Sequence, residues 1–253
     1  MEAKRNCRSE AASRPTSDCS GFPSQRVKVG EDEYSLCSER KTAVVAQELR
    51  RYNIDIAALS ETRLADEGEL TEHGGGYTFY CIGRPNTETR HSGVGFALRT
   101  PLARKLEECS RYISDRIIIL RLHLENNNYI NIISVYAPTM DRDDSIKNQF
   151  YQEPGNCIDG IRHEEQILLL GYFNARVYRE FVAWPRVLGR HGIGNMNSNG
   201  QLLLSLCAQF VLTITNTSFR LSAKYKTTWM HPRSKSMSNP SASRYLAVLS
   251  RAV

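Results

Sequence analysis

The sequence predicts a mixed α/β or α+β domain built from stacked layers. Seven short β-rich runs follow one another along the chain, a few helical segments separate them, and 41% of the 253 residues are apolar. Strands with helices between them bury their apolar faces by stacking in layers. A chain of this length and composition can form a sizeable core, which excludes wholesale disorder.

Three helices are predicted from apolar residues that recur at helical spacing. Thr42 can serve as the N-cap of the first helix, because its side chain can accept a hydrogen bond from the first turn. Pro154 is expected to end the second helix, because proline lacks the backbone N–H that a helix interior needs. The predicted helices cover residues 42–52, 145–152 and 201–210.

The predicted strands are runs rich in β-branched and aromatic residues. The run Asn126-Asn127-Asn128 separates two of them and predicts a hairpin, because asparagine favours turns. The predicted strands cover residues 54–60, 77–82, 93–98, 117–124, 129–136, 166–173 and 212–215.

Composition divides the chain into three parts. Residues 1–40 are rich in Ser, Glu, Arg and Cys and lack lasting periodicity, so we expect a disordered or replaced segment there. Residues 41–232 carry the strands and helices of a folded domain. Residues 233–253 form a divergent basic tail.

The positive charge is concentrated near the end of the sequence. The net charge is +6, and seven basic residues but no acidic one occur between Arg220 and Val253. Such a segment suits a polyanion such as DNA, because basic side chains neutralise phosphates. A solvated basic tail is the alternative interpretation of the same charges.

We expect an intracellular protein, nuclear or cytoplasmic, that is neither secreted nor embedded in a membrane. No apolar run approaches the roughly 20 residues of a transmembrane helix, and residues 1–15 contain no apolar stretch typical of a signal peptide. The seven cysteines are scattered without a CxxC pair, which favours free thiols.

Polar residues follow several of the predicted strands, where a sheet can present them at its edge. Glu61 offers a carboxylate to a hard divalent ion such as Mg²⁺. The Tyr136 hydroxyl can contact a phosphate oxygen, and Asn174 can orient a water molecule or a phosphate. Each residue, taken alone, is more typical of an ordinary strand-to-loop position than of a catalytic one.

The order of seven motifs is more specific than any one residue. They are LSETR, HSGVGFAL, SVYAPT, GYFNARV, WPRVLGRHGIGNMNSNGQLLLSLC, TNTSF and KTTWMHPRSK, between about Arg40 and Lys235. This series resembles the endonuclease domain of non-LTR retrotransposons, within the endonuclease/exonuclease/phosphatase superfamily. The resemblance implies a four-layer sandwich of two face-to-face β-sheets flanked by helices, here incomplete at both ends. It also implies a Mg²⁺-dependent site that cleaves DNA phosphodiesters.

The same resemblance assigns roles to individual residues. Glu61 corresponds to the metal ligand, and Tyr136 and Asn174 correspond to catalytic residues that contact the phosphate. Residues implied to face the nucleic acid are Arg63, Lys226 and Trp229. For Trp229, packing at the edge of the core is the alternative.

Four departures from the family pattern bear on catalysis. Tyr172 stands where the family has the Asp of its GDFN motif. The family's opening TWNVR-like strand, its Ile-Asp-Tyr strand and its final Asp-His pair have no counterpart in the sequence. Loss of a general base or of a phosphate-stabilising group costs about 10²- to 10⁴-fold in rate. The sequence therefore predicts absent or strongly reduced hydrolysis.

Three functions stay open at this point. The first is a degenerate nuclease-fold protein that still binds nucleic acid, and the second is an active Mg²⁺-dependent DNA endonuclease. The third is a remnant without a biochemical role, or one that acts only through protein partners, which the sequence does not identify.

Overall fold

The computed structural model describes residues 33–220 and 249–250, except residues 90, 107–110, 178 and 180. The described helices are α1 (Glu33–Arg51), α2 (Thr100–Ala103), α3 (Asp144–Asp159) and α4 (Ser198–Gln209). The described strands are β1 (Ile56–Ser60), β2 (Glu67–Glu72), β3 (Tyr77–Ile82), β4 (Val94–Arg99), β5 (Arg111–Ser114), β6 (Ile117–His123), β7 (Tyr129–Tyr136), β8 (Gln166–Tyr172), β9 (Thr213–Ile214) and β10 (Leu249–Ser250). Among these helices, none is long and apolar enough to cross a membrane.

The strands form two sheets. The first sheet has four antiparallel strands in the order β1-β4-β3-β2. The second sheet has the order β5-β6-β7-β8-β10-β9, in which β7 and β8 run parallel and the other neighbours antiparallel. A parallel pair needs a crossover connection, and α3 provides one between β7 and β8.

An apolar core lies between the two sheets. Its members on β4, β6 and β7 include Phe96, Leu98, Ile118, Leu120 and Ile132. The alternating residues Ile117 and Ile119 belong instead to the cluster on the other face of the second sheet. The apolar run of β6 is continuous because both of its faces are covered.

Helices cover the outer face of each sheet. Ala46 of α1 shares a buried cluster with Tyr77 and Phe79 of β3. Phe150 of α3 and Leu203 of α4 belong to the cluster on the outside of the second sheet. The layers therefore follow the order helix, sheet, sheet, helix, and the predicted four-layer sandwich is confirmed.

The predicted strands lie within two residues of those observed. The predicted hairpin is also confirmed, because β6 and β7 pair antiparallel across a turn at Glu125–Asn127. Asn126 and Asn127 adopt φ values of 60° and 58° in this turn. Asparagine tolerates this left-handed conformation better than most residues other than glycine.

The predicted end of the second helix at Pro154 is wrong. Helix α3 continues through Pro154 to Asp159, and both Pro154 and Gly155 are buried. A Cβ atom on Gly155 would lie 3.4 Å from the ring of Phe210, beside α4. Packing against α4 thus compensates for the hydrogen bond that proline cannot make, and tertiary contact overrides local propensity.

Several elements lie outside the predicted ones. Strands β2 and β5 are edge strands, and the first four residues of β2 are exposed, so neither carries an apolar pattern that would signal a strand. Helix α1 begins at Glu33, and β10 pairs with β8 and β9 although it consists of two residues. The described elements therefore extend past the predicted domain limits at 41 and 232, and the expected incompleteness stays a prediction.

Candidate functional site

The ends of three strands bring the predicted site residues together. Glu61 directly follows β1, Tyr136 ends β7 and Tyr172 ends β8. Tyr136 and Tyr172 are direct partners in the parallel register of β7 and β8. The Tyr136 hydroxyl donates a hydrogen bond to Oε1 of Glu61 over 3.2 Å, which connects the edges of the two sheets.

Glu61 stands on a loop with unusual backbone geometry. Glu61 and Arg63 have φ values of 57° and 54°, a conformation that costs energy in non-glycine residues. The loop is held because the backbone N–H groups of Thr62 and Arg63 donate to the carbonyl groups of Gly93 and Ser92, each over 3.1 Å. Gly93 itself has φ 117°, and a Cβ atom there would lie 2.3 Å from the Thr62 hydroxyl, so this approach requires glycine.

The guanidinium group of Arg116 packs against one face of the Tyr136 ring. Its guanidinium carbon lies 5.1 Å from the ring centroid, and its Nη1 donates to the Tyr136 carbonyl over 3.0 Å. Burial lowers the pKa of Arg116, and the neighbouring Asp115 opposes that shift. The guanidinium nevertheless remains charged at neutral pH. A permanent positive charge therefore lies directly beneath the tyrosine that reaches Glu61.

Asp115 belongs to a second group of contacts at this edge. Its Oδ2 accepts hydrogen bonds from Nε of Arg84, over 3.1 Å, and from the hydroxyl of Ser92. Its carbonyl accepts from the N–H of Gly93 over 3.0 Å. The turn that contains Asp115 and Arg116 therefore positions both Tyr136 and the loop of Glu61. The sequence did not predict roles for Asp115 and Arg116. They lie in the turn between β5 and β6, and β5 has no apolar pattern that would predict a strand before this turn.

Tyr172 occupies the position where the resemblance implies an Asp. Its ring is half-buried and stacks on the Tyr136 ring, with centroids 6.0 Å apart and planes inclined by 27°. It also packs against the core between the sheets. A phenol with its usual pKa of about 10 is neutral at pH 7. The side chain therefore contributes packing where a carboxylate would contribute negative charge.

Asn174 connects the loops that follow β7 and β8. Its side-chain Nδ2 donates to the backbone carbonyl of Ala137 over 2.9 Å. The backbone carbonyl of Asn174 accepts a hydrogen bond from Nδ2 of Asn197 over 3.0 Å. Asn197 is the N-cap of α4, and its Oδ1 accepts from the N–H groups of Gly200 and Arg176. Sequence reasoning missed Asn197, although an asparagine three residues before glycine and an apolar helix is a capping signal.

The predicted nucleic-acid residues have separate outcomes. Arg63 is described and exposed, and its Nη2 lies 3.8 Å from Oε2 of Glu61. Lys226 and Trp229 lie outside the described residues. Of the three residues predicted to face the nucleic acid, Arg63 is therefore the one that the structure describes. It lies beside Glu61, at the edge where Tyr136 and Asn174 also lie.

The donors at this edge make a poor preformed metal site. Within the described part of the chain, no three His, Cys, Asp or Glu side chains lie together in a way that could hold a metal ion. Mg²⁺ needs six oxygen ligands, so an ion bound at Glu61 would depend on water and substrate phosphate for the others. The metal role of Glu61 stays a prediction.

Comparison with known proteins gives consistent sequence matches. The Endonuclease/Exonuclease/phosphatase family matches residues 12–205. Craniofacial development protein 2 of Bos taurus is 30% identical over 192 residues, which cover 76% of this chain and 31% of that protein. The protein of the same name from Tragulus javanicus is 29% identical and is covered to 32%. The chain thus spans about a third of the length of these relatives.

Solved structures show the same fold. The catalytic domain of Xenopus laevis APE2 superposes with a TM-score of 0.59 at 14% identity, over 85% of this chain and 79% of that domain. A family protein from Leptotrichia buccalis superposes with a TM-score of 0.50 at 13% identity, over 87% and 83%. Identities of 13% and 14% establish the fold alone. The match to the family, in contrast, is a sequence match that covers residues 12–205, which is most of the chain. The chain belongs to the endonuclease/exonuclease/phosphatase family.

Proposed function

We propose that this chain is a nuclease-fold domain that binds nucleic-acid phosphodiesters, DNA in particular, with absent or strongly reduced hydrolysis. The observation that carries the proposal is the stacking of Tyr172 on Tyr136. The resemblance implies a carboxylate at this position, beside the one on Glu61. Among the described residues, Glu61 belongs to no group of three or more His, Cys, Asp or Glu side chains that could hold a metal ion.

Reduced hydrolysis follows from the chemistry of the replacement. A phenol is neutral at pH 7 and cannot accept a proton from an attacking water molecule as a carboxylate can. The loss of such a base costs about 10²- to 10⁴-fold in rate. The resemblance also implies a divalent ion, Mg²⁺ in the family's nucleases, and its binding weakens when one carboxylate of the donor set is absent.

Retained binding is supported by the groups that remain at the edge. The Tyr136 hydroxyl, the Asn174 amide and the Arg63 guanidinium are all suited to phosphate oxygens. Arg116 adds a half-buried positive charge against the Tyr136 ring. These groups need no metal ion to act, so loss of catalysis leaves an anion-binding edge in place.

A plasmid-nicking assay with Mg²⁺ tests the catalytic half of the proposal. The unmodified chain, Glu61→Ala, Tyr172→Asp and Tyr172→Asn are compared, with circular dichroism to show that each is folded. Asn has the shape of Asp without its charge and is the matched control for Tyr172→Asp. We expect no nicking by the unmodified chain. Nicking that Glu61→Ala abolishes would instead establish an active endonuclease and overturn the proposal.

A binding titration tests the other half. Fluorescence anisotropy of a labelled DNA duplex is followed between 50 and 200 mM salt, with EDTA present. Phosphate contacts predict a linear fall of log affinity with log salt, and Arg63→Ala is expected to reduce the slope by about 0.9. A folded protein that neither nicks nor binds the duplex would favour a remnant that acts through protein partners.

A further inference from the structure

Two exposed methionines lie next to the start of α4. Met140 is in the loop that follows β7, Met196 directly precedes the cap residue Asn197, and their fractional exposures are 41% and 38%. The Met140 sulfur, Sδ, lies 3.1 Å from Nδ2 of Asn197 and 3.8 Å from the Ser198 hydroxyl. Within the part of the chain that the structure describes, the sulfur of Met196 has no polar contact of this kind.

The groups that face the Met140 sulfur are hydrogen-bond donors. Nδ2 of Asn197 donates to Sδ, and the Ser198 hydroxyl also donates to Sδ while it accepts from Nζ of Lys147 over 3.3 Å. Lys147 is 4% exposed and donates to the Met140 carbonyl as well, over 3.3 Å. A thioether sulfur is a weak acceptor. The reduced side chain therefore satisfies Asn197 and Ser198 poorly, and a stronger acceptor on the same side chain would satisfy them better.

We propose that Met140 is a site of reversible oxidation by peroxides and that Asn197 and Ser198 hold its sulfoxide. The sulfur lone pair attacks one oxygen of hydrogen peroxide, and the O–O bond breaks as the S–O bond forms. The proton of the transferred oxygen passes to the departing hydroxide, which leaves as water. The sulfur is oxidised and the peroxide is reduced. Methionine sulfoxide reductases reverse the reaction, with thiols as the reductant that become a disulfide.

The sulfoxide of Met140 is expected to stabilise the fold, in contrast to most oxidised methionines. Oxidation usually disrupts a protein, because it places a polar oxygen in apolar surroundings. At Met140 the new oxygen meets two donors, and the flexible, exposed side chain can turn to present it to them. The added hydrogen bonds would connect the loop after β7 to the start of α4. Met196 lacks such donors, so its oxidation brings no gain.

The modification would act beside the candidate site. Nδ2 of Asn197, which faces the Met140 sulfur, also donates to the backbone carbonyl of Asn174. Tyr136 lies shortly before Met140 in the chain, at the end of β7. The inference does not depend on the proposed binding of nucleic acid, because its test measures modification and stability.

Glutamine tests the acceptor without any oxidant. Its unbranched side chain ends in a carbonyl oxygen that accepts hydrogen bonds, whereas leucine has no acceptor. In urea unfolding of the full chain, we expect Met140→Gln to have an unfolding equilibrium constant about three- to tenfold smaller than that of Met140→Leu, as one net hydrogen bond predicts. Met196→Gln and Met196→Leu are the matched pair at similar exposure, and they should differ by less than about twofold.

Peroxide treatment tests the modification itself. The full chain is treated with hydrogen peroxide and then with dithiothreitol, which reverses disulfides and sulfenic acids of the cysteines but leaves methionine sulfoxide in place. Peptide mapping by mass spectrometry measures the conversion of Met140 and Met196. We expect both to be converted. Treatment should change the urea midpoint more favourably in the unmodified chain and in Met196→Leu than in Met140→Leu, because the contributions of all other oxidised residues are shared.

Three results would overturn the proposal. Met140 that stays reduced while Met196 is converted would show that Met140 is not an oxidation site. An equal change of the midpoint in the unmodified chain and in Met140→Leu would show that the sulfoxide is not held. Met140→Gln that is no more stable than Met140→Leu would show that Asn197 and Ser198 do not bind an acceptor at this position.

Discussion

Glu165, directly before β8, is expected to stabilise the fold in a strongly pH-dependent way. Its side chain is 6% exposed and accepts hydrogen bonds from Nη2 of Arg121, Nε of Arg162 and Nδ2 of Asn131, over 2.8, 2.7 and 2.6 Å. These contacts join β6, β7 and β8 at the edge opposite the candidate site. Arg121 also lies 3.6 Å from the centroid of the Tyr129 ring, which fixes its orientation.

The magnitude follows from the pKa of the carboxyl group. Hydrogen bonds from Arg121 lower the pKa of Glu165 from 4.5 to about 2, with further contributions from Asn131 and Arg162 and against the opposing effect of burial. One pKa unit corresponds to about 1.4 kcal/mol, so the stabilisation reaches about 3 kcal/mol at neutral pH. Because the folded-state pKa is the lower one, the stabilisation is complete above pH 4.5 and is lost as the pH falls towards 2.

Urea unfolding of Glu165→Gln measures this contribution. The variant is expected to be less stable than the unmodified chain at pH 7 by about 3 kcal/mol, because Arg121 is left without its anion. Between pH 7 and pH 3 the difference in unfolding free energy should shrink by about 2 kcal/mol. The exposed neighbour Glu164 provides the matched control, Glu164→Gln. An equal difference at both pH values, or the same behaviour in the control, would refute the reasoning.

Three further predictions concern the site and the core. Gly93→Ala should destabilise the fold by about 2 kcal/mol or more in urea unfolding, because φ 117° and the contact with Thr62 both oppose a Cβ atom. Asn197→Ala should cost about 1 to 2 kcal/mol in the same measurement through loss of the α4 cap; an unchanged midpoint would contradict that role. Burial raises the pKa of the Cys81 thiol to about 12 and raises that of the half-buried Cys157 less, so mass spectrometry should show that iodoacetamide at pH 8 alkylates Cys157 before Cys81.

The buried strands were predictable because their burial is visible in the sequence. Both faces of β6 are covered, so its first four residues, 117–120, form an uninterrupted apolar run that is recognisable from the sequence alone. The edge strand β2, with the sequence EGELTE, gains its structure from pairing with β3 and carries no such signal. Helix α3 shows the opposite error, because Pro154 is a strong local signal that packing against α4 overrides.

The site was predictable only in part, for a similar reason. Glu61, Tyr136 and Asn174 could be predicted as candidate site residues because they belong to short motifs at strand ends. Arg116 and Asn197 act through contacts with residues 20 or more positions away, Tyr136 and Asn174 respectively. Proximity of this kind exists only after the sheets have formed, and no periodicity in the sequence reports it.

The replacement at Tyr172 links the stability of the fold to the proposed loss of hydrolysis. An aromatic pair adds about 0.5 to 1.5 kcal/mol beyond its buried area, so stacking of Tyr172 on Tyr136 stabilises this edge of the sheet. Active sites often hold groups that destabilise the fold, and their removal commonly raises stability. The same ring that stands where the resemblance implies an Asp therefore helps to keep the scaffold folded. On this argument Tyr172→Asp and Tyr172→Asn should both lose stability, since both lose the ring, and any nicking gained by Asp alone reports the restored charge.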